Sequence, residues 1–299
     1  MPRLSSRPLF PSMRPLFFFL GLAVLLASCS DYQRTMKSTN IEQKFAFCDS
    51  LFHMAEKGNL PNAARKDHRR AEGACAKALP LLEELVQLTR GSNLSERVYY
   101  YHAKCQFWMQ DYTLASYYLS NFTKTFPTSE FAEECDFLSA FCYFQNSPNF
   151  ELDQTDTKAA IQDLQLFLVH YPRTSLRDSA NTLIDRLRGK LELKDLNNSR
   201  QYYRLRNYQG TITAFNDFLR TWPNSEFREE ALYAVMKASY ELAMNSVESK
   251  RKQRLADAMR AVRTFADAFP ESTDRREADR LNQLLTDALA RYDQPPATP

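Results

Sequence analysis

The sequence predicts an all-α protein built from about five helical hairpins stacked as a right-handed solenoid. Three observations carry this. A phrase recurs four times, as FPTSEFAEEC from Phe126, YPRTSLRDSA from Tyr171, WPNSEFREEA from Trp222 and FPESTDRREA from Phe269. Apolar and small residues recur at fixed helical steps around each phrase. Glycine is scarce, six in 299 residues, while Ala, Leu, Glu and Arg are plentiful, which favours helix over strand.

Aligning Pro127, Pro172, Pro223 and Pro270 gives spacings of 45, 51 and 47 residues. Five residues before each proline stands Phe122, Phe167, Phe218 or Phe265. Eight before it stands Leu119, Leu164, Phe215 or Val262, and twelve before it Ala115, Ala160, Thr211 or Ala258. Eight after it come Cys135, Ala180, Ala231 and Ala278. Steps of three and four mark one face of a helix, so these positions are the expected core.

The proline ends one helix, because it lacks the N–H to continue and pushes its predecessor out of the helical region. The Ser or Thr that follows is expected to cap the next helix. Glu130, Glu133 and Glu134, like Glu226, Glu229 and Glu230, suit the positive end of that helix's dipole. Before Pro127 the first helix of the pair is expected over 95–109, with a turn at Asp111-Tyr112. Before Pro223 it is expected over 196–205, with a turn at Asn207-Tyr208. A degenerate first unit precedes these. Thr39-x-x-Glu42 reads as a capping box opening IEQKFAFCDSLFHMAEKG. Its partner is KALPLLEELVQLTRG, and residues 59–76 between them read as an inserted basic loop or short helix.

The array resembles the tetratricopeptide repeat, which pairs two helices, puts small residues where they cross and a proline after the second. The resemblance implies a solenoid whose concave face presents side chains of the first helices.

Residues 1–28 read as a signal peptide. Arg3, Arg7 and Arg14 precede the apolar run LFFFLGLAVLLA, and LASC ends it at Cys29. Small residues before that cysteine resemble the bacterial lipobox, so Cys29 is expected to carry acyl chains after cleavage. Several acyl chains anchor a protein stably, at about 0.8 kcal/mol per buried methylene. Residues 29–38 are then a tether, 39–292 the repeat body and 293–299 a disordered tail. Removing the three leader arginines from 39 basic residues leaves 36, equal to the 36 acidic ones. A body of zero net charge argues against nonspecific nucleic-acid binding.

No catalytic or metal constellation is written locally, and no cofactor is implied. His53, His68, His102 and His170 do not stand at metal-ligand spacing. Cys48, Cys75, Cys105, Cys135 and Cys142 sit mostly where Ala would serve, and read as buried small apolar residues, with an inter-repeat disulfide left open. A carboxylate pair for glycoside hydrolysis needs a closed cleft on its own domain, and the array leaves no room for one. The aromatics are the better candidates for binding. Tyr99, Tyr100, Tyr101, Phe107 and Trp108 crowd one helix, and Tyr202 and Tyr203 recur later. Consecutive rings cannot all face one core, so one or two are expected to reach a groove, where they would bind peptide by apolar contact and stacking.

Two segments resemble the BamD family of outer-membrane-protein assembly factors, in its Bacteroidetes version: SPNFELDQTDTKAAIQDLQLFLVHYPRTS and SYELAMNSVESKRKQRLADAMRAVRTFADAFPES. Glu151, Leu152, Asp153, Gln154, Thr155 and Asp156, then Asn245, Ser246, Lys250 and Arg254, carry most of it. The resemblance implies a non-enzymatic, lipid-anchored protein on the periplasmic face of the outer membrane. Such a protein binds the barrel subunit BamA and unfolded outer-membrane proteins. The family's N-terminal repeats imply a substrate receiver and its C-terminal repeats a docking surface. The alternative is another repeat lipoprotein of the envelope, in cell-envelope coordination or SusD-like glycan binding. SusD-like chains carry a large inserted ligand region, which is missing here.

Overall fold

The computed structural model describes residues 31–291. The proposed lipidation site Cys29, the leader before it and the tail 293–299 lie outside these residues. Among the described residues every regular element is helical, as the sequence predicted. Besides a helical stretch at 31–37, they are α1 (Ile41–Gly58), α2 (Arg65–Leu88), α3 (Ser95–Trp108), α4 (Tyr112–Thr125), α5 (Ala132–Asn146), α6 (Thr155–His170), α7 (Arg177–Arg204), α8 (Tyr208–Thr221), α9 (Arg228–Met244), α10 (Glu248–Ala268) and α11 (Arg275–Ala290). The chain divides into two compact units. Among the described residues the first holds those up to Asn146 plus Gln162–Ala180, and the second Ser147–Ile161 plus those from Asn181 onward. The division therefore falls inside α6 and α7.

The four phrases build one and the same hinge. Helices α4, α6, α8 and α10 each end two residues before the proline, and α5, α7, α9 and α11 each begin five residues after it. The aromatic before the proline still donates its N–H to the carbonyl of the buried Phe four residues back, at 2.7–2.9 Å. Its own carbonyl accepts the N–H of Ser129, Thr174, Ser225 or Ser272 at 3.1–3.2 Å. The hydroxyl oxygen of that Ser or Thr then accepts the N–H two residues on, from Phe131, Leu176, Phe227 and Asp274, at 3.0–3.1 Å. This corrects the expected capping role. The hydroxyl closes a lead-in turn just before the helix rather than the helix's own first N–H groups, because the proline already sets the chain direction.

Every predicted core position is buried. The phenylalanines Phe122, Phe167, Phe218 and Phe265 are at most 2% exposed, and the small residues Ala115, Ala160, Thr211, Ala258, Cys135, Ala180, Ala231 and Ala278 are fully enclosed. Burying each such Phe contributes on the order of 2–3 kcal/mol. The small residues let successive helices approach closely.

Sequence and structure differ in four further places. Thr39 is not the cap of α1. Asn40 is, its Oδ1 accepting the Gln43 N–H at 2.8 Å, while Ser38 bonds the Gln43 side chain. Residues 59–76 do not form a separate insertion. Only 59–64 form a loop, and Arg65 opens one 24-residue helix that runs through Pro80. Its early turns are basic, which disguised them, yet Ala71, Ala74 and Cys75 are buried against α1. Gly58 permits that approach, since a Cβ there would lie 2.6 Å from the Ala71 Cβ and collide with the Asp67 carbonyl oxygen. The helix expected at 196–205 is the end of the 28-residue α7, which meets no proline after the phrase at Pro172 and runs through Gly189. Residues 31–37, expected within a tether, are helical, with Tyr32 and Met36 against the first unit's core.

The turns were read correctly. Asp111 and Asn207 cap α4 and α8, accepting from the Leu114 N–H at 3.1 Å and the Gly210 N–H at 2.9 Å. Gln110 and Arg206 precede them in equivalent positions, both left-handed with φ of 61° and 53°.

Candidate functional site

The aromatic helix α3 is a core element. Tyr100 and Tyr101 are 7% and 3% exposed. Tyr101 stacks on Phe52 with ring centres 3.8 Å apart, and its hydroxyl donates to Asp49 at 2.7 Å. Tyr100 stacks on Phe131 at 4.1 Å and donates to Glu134 at 2.7 Å. Neither presents a ring to a partner, which corrects their place among the binding candidates. Two consecutive rings can both be buried because α3 packs between α2 and α4 and also touches α1. Tyr99, Phe107 and Trp108 are half-buried, Tyr99 edge-on to Tyr118 and Phe107 edge-on to Tyr112. The Lys104 ammonium lies over the Trp108 ring at 5.0 Å. Tyr202 and Tyr203, near the end of α7, are the exposed pair, at 44% and 38%.

An unforeseen ladder of ion pairs ties first helices to first helices. Lys104 on α3 meets Glu134 on α5 at 2.6 Å. Arg200 on α7 meets Glu230 on α9 at 2.6 Å, and Lys237 on α9 meets Glu277 on α11 at 2.6 Å. Each glutamate stands seven residues after its proline, and that shared position was the legible signal. Hydrogen bonds from Arg280 and then Lys237 hold the Glu277 carboxyl down to about 2.

The segment from Glu151 to Asp156 is mainly architectural. Gln154 is 4% exposed, and its amide donates to the carbonyls of Asn149 and Leu152 at 2.8 and 3.0 Å. Thr157 donates to the Gln154 Oε1 at 2.7 Å. Asp153 accepts the Thr155 N–H at 2.9 Å, and hydrogen bonding from the Thr155 side chain first, then from this N–H, keeps its carboxyl below the usual range. Lys190 and Lys194 of α7 hold the loop from outside, Lys190 on Ser147 at 2.6 Å and Lys194 on the Leu152 carbonyl at 2.6 Å. Glu151 and Thr155 stay exposed and Asp156 partly so, and the exposed Leu152 projects from the loop.

The second family segment lines a cleft. In the second unit α8 and α10 form two walls and α9 the floor of a cavity of about 700 Å³. Leu232 and Val235 give an apolar floor, while Lys250, Arg254 and Arg260 bring positive charge. Asp257 pairs with Arg260. Arg254 donates to the Ser246 hydroxyl at 2.7 Å, and Lys250 has no acidic partner among the described residues. Asn245 ends α9, its side chain bonded to the Glu241 carbonyl at 2.8 Å. Lys250 and Arg254 thus come together at one cleft, while Asn245 shapes the turn before it. In the first unit α4, α5 and α6 enclose a second cavity, of about 610 Å³. Both clefts are walled by the second helices of the hairpins, whereas the repeat resemblance pointed to the first helices.

None of this is a catalytic constellation. The five described cysteines are free and buried, and burial pushes the Cys48 and Cys142 thiols up to about 12. No group of residues among those described could hold a metal ion, and no described helix is long and apolar enough to cross a membrane.

The chain is 23% identical over 148 residues to the outer membrane protein assembly factor BamD of Caulobacter vibrioides, a match covering 50% of this chain and 48% of that protein. It therefore spans about half the length of the relative it matches. The family described as YfiO, outer membrane lipoprotein, matches residues 63–255 and 202–295, which together take in most of the helical array. The chain belongs to the YfiO family of outer membrane lipoproteins.

Proposed function

We propose that the protein is a lipid-anchored scaffold for outer-membrane protein assembly. It docks a BamA-like barrel subunit and receives unfolded outer-membrane proteins, and it performs no covalent chemistry. Membership of an outer membrane lipoprotein family and the likeness to a BamD support this reading. The observation that carries the docking step is the cleft of the second unit. An apolar floor beside the uncompensated cations Lys250 and Arg254 suits a polypeptide surface bearing apolar and acidic residues. Cys29, acylated, places this surface at the membrane where barrels insert.

The test is affinity purification of the native protein from detergent extracts, with identification of the proteins that co-purify. A BamA-like barrel in stoichiometric yield is the expected outcome, and a clean purification lacking any such barrel would sink the proposal. The anchor is tested separately. Cys29→Ala should release a folded protein into the periplasmic fraction, and full retention in the outer membrane would show that lipid is not the main anchor.

A further inference from the structure

The two large clefts occupy the same place in the repeat but carry opposite chemistry. Nine and twelve residues after its proline the second unit has Leu232 and Val235, and nine before the next proline it has Ala261. At the equivalent positions the first unit has Asp136, Ser139 and Asp163. Positions that the repeat fills with apolar residues in one cleft thus hold two carboxylates in the other.

These carboxylates are not used up by the fold. The Tyr171 hydroxyl donates to Asp136 at 3.0 Å, which leaves its other oxygen open. Asp163 is half-buried and has no hydrogen-bond or ion-pair partner among the described residues. Burial first, and the Asp136 charge next, push its carboxyl up, while Lys124 acts weakly the other way. The titratable groups facing the cleft are Asp136, Asp163, Lys124, His170 and Tyr171. The two carboxylates outnumber the one ammonium, that of Lys124, so the site has room for one more cation. Phe167 and Tyr171 supply aromatic walls, and Leu166, 46% exposed, gives an apolar lip. Val169, one turn further on the same face of α6, is 73% exposed.

We propose that the Asp136–Asp163 cleft receives an arginine side chain carried on a partner polypeptide. The planar guanidinium matches paired carboxylates through forked hydrogen bonds and is more weakly hydrated than an ammonium. It also packs well against the faces of Tyr and Phe. The exposed Leu166 and Val169 favour a polypeptide over a free small cation, because apolar residues flanking the arginine would cover them. The cleft is separate from the Lys250 surface assigned to the barrel subunit and stands on its own residues.

The experiment uses the detergent-solubilised full-length protein and a fluorescein-labelled nonapeptide with one central arginine between leucines and serines. Its twin carries citrulline, which keeps the shape and removes the charge. Fluorescence polarisation should show at least tenfold weaker binding of the citrulline peptide. Asp163→Asn should weaken the arginine peptide by a similar factor and leave the citrulline peptide unchanged. Asp163→Asn should also leave the thermal unfolding midpoint unchanged or raised, since it removes an unpaired half-buried charge. Equal binding of the two peptides overturns the proposal, as does failure of the arginine peptide to bind. An Asp163→Asn protein that binds normally but unfolds earlier also overturns it, by making the carboxylate structural.

Discussion

Glu134 on α5 is held by two residues of α3 at once, the Lys104 ammonium at 2.6 Å on one oxygen and the Tyr100 hydroxyl at 2.7 Å on the other. Burial alone would push the Glu134 carboxyl up, but the Lys104 charge and the hydrogen bonds from Lys104 and Tyr100 outweigh it, and the carboxyl lies below its usual range. The Lys104 side chain is only 10% exposed, so losing its partner strands a nearly buried cation. Glu134→Ala should therefore cost about 2 kcal/mol of stability, at the low end for charged pairs because the glutamate is part-exposed. The depressed pKa makes this contribution complete above the ordinary glutamate range and lost as pH falls through the folded value. Urea unfolding of the wild type and the variant at pH 7 and pH 3 checks both. A difference that persists unchanged at pH 3 contradicts the assignment.

Gly58 marks a close crossing of α1 and α2. A methyl group there meets the Asp67 carbonyl oxygen and the Ala71 Cβ, and neither can swing aside as a flexible side chain would. Gly58→Ala should destabilise the protein by about 1–3 kcal/mol, the range for overpacking. This is opposite in sign to the gain that alanine gives in an open helix interior. Gly73, whose added Cβ meets nothing within 4 Å, is the control, and Gly73→Ala should be neutral or stabilising. Thermal unfolding of the two variants decides, and equal midpoints would show that the crossing relaxes.

The array was legible because the phrase repeats four times, and the repeats fixed which residues are buried. What the sequence hid has physical causes. The basic surface of Arg65 to Arg70 masked the start of α2, since one face of a helix can be fully charged while Ala71, Ala74 and Cys75 line the other. The burial of Tyr100 and Tyr101 together depends on packing against both Phe52 and Phe131, from two different helices. Of the ladder glutamates, Glu134 and Glu230 were read as dipole partners and Glu277 was not singled out, because their cations lie 30 to 40 residues away in sequence. The acid pair of the first cleft emerged only once Asp136 and Asp163 could be set against Leu232 and Ala261.

His102 sets a second pH dependence. It is 3% exposed, its Nδ1 has no hydrogen-bond partner, and its ring meets Tyr118 edge-on at 4.3 Å. Burial lowers its pKa, against a smaller opposing pull from Glu83. The neutral ring is thus the folded form. Its contribution is complete above the ordinary histidine value of about 6.5 and falls away as pH drops below it. Between pH 7.5 and 5.5 the wild type should lose urea resistance, and His102→Phe, which cannot charge, should lose less. An identical slope in the variant would assign the loss to other groups, since His53, His68 and His170 are exposed.

Lys250 gives the most direct handle on the cleft proposed for docking. It is exposed and its side chain holds no partner among the described residues, whereas Arg254 also supports the buried Ser246 through a 2.7 Å hydrogen bond. A surface charge without such a role changes stability by no more than about 0.5 kcal/mol. Lys250→Glu should therefore unfold at the wild-type temperature. Under the proposed docking, however, it replaces a cation that would face an acidic partner by an anion, and such like-charge contact costs affinity. The barrel subunit recovered with Lys250→Glu should fall at least tenfold at low salt, and the deficit should narrow as salt screens the charges. Arg254→Lys, which keeps the charge but not the planar fork, should give an intermediate loss. Full recovery of the barrel with Lys250→Glu would move the docking surface away from this cleft, and the free cations there would then need another explanation.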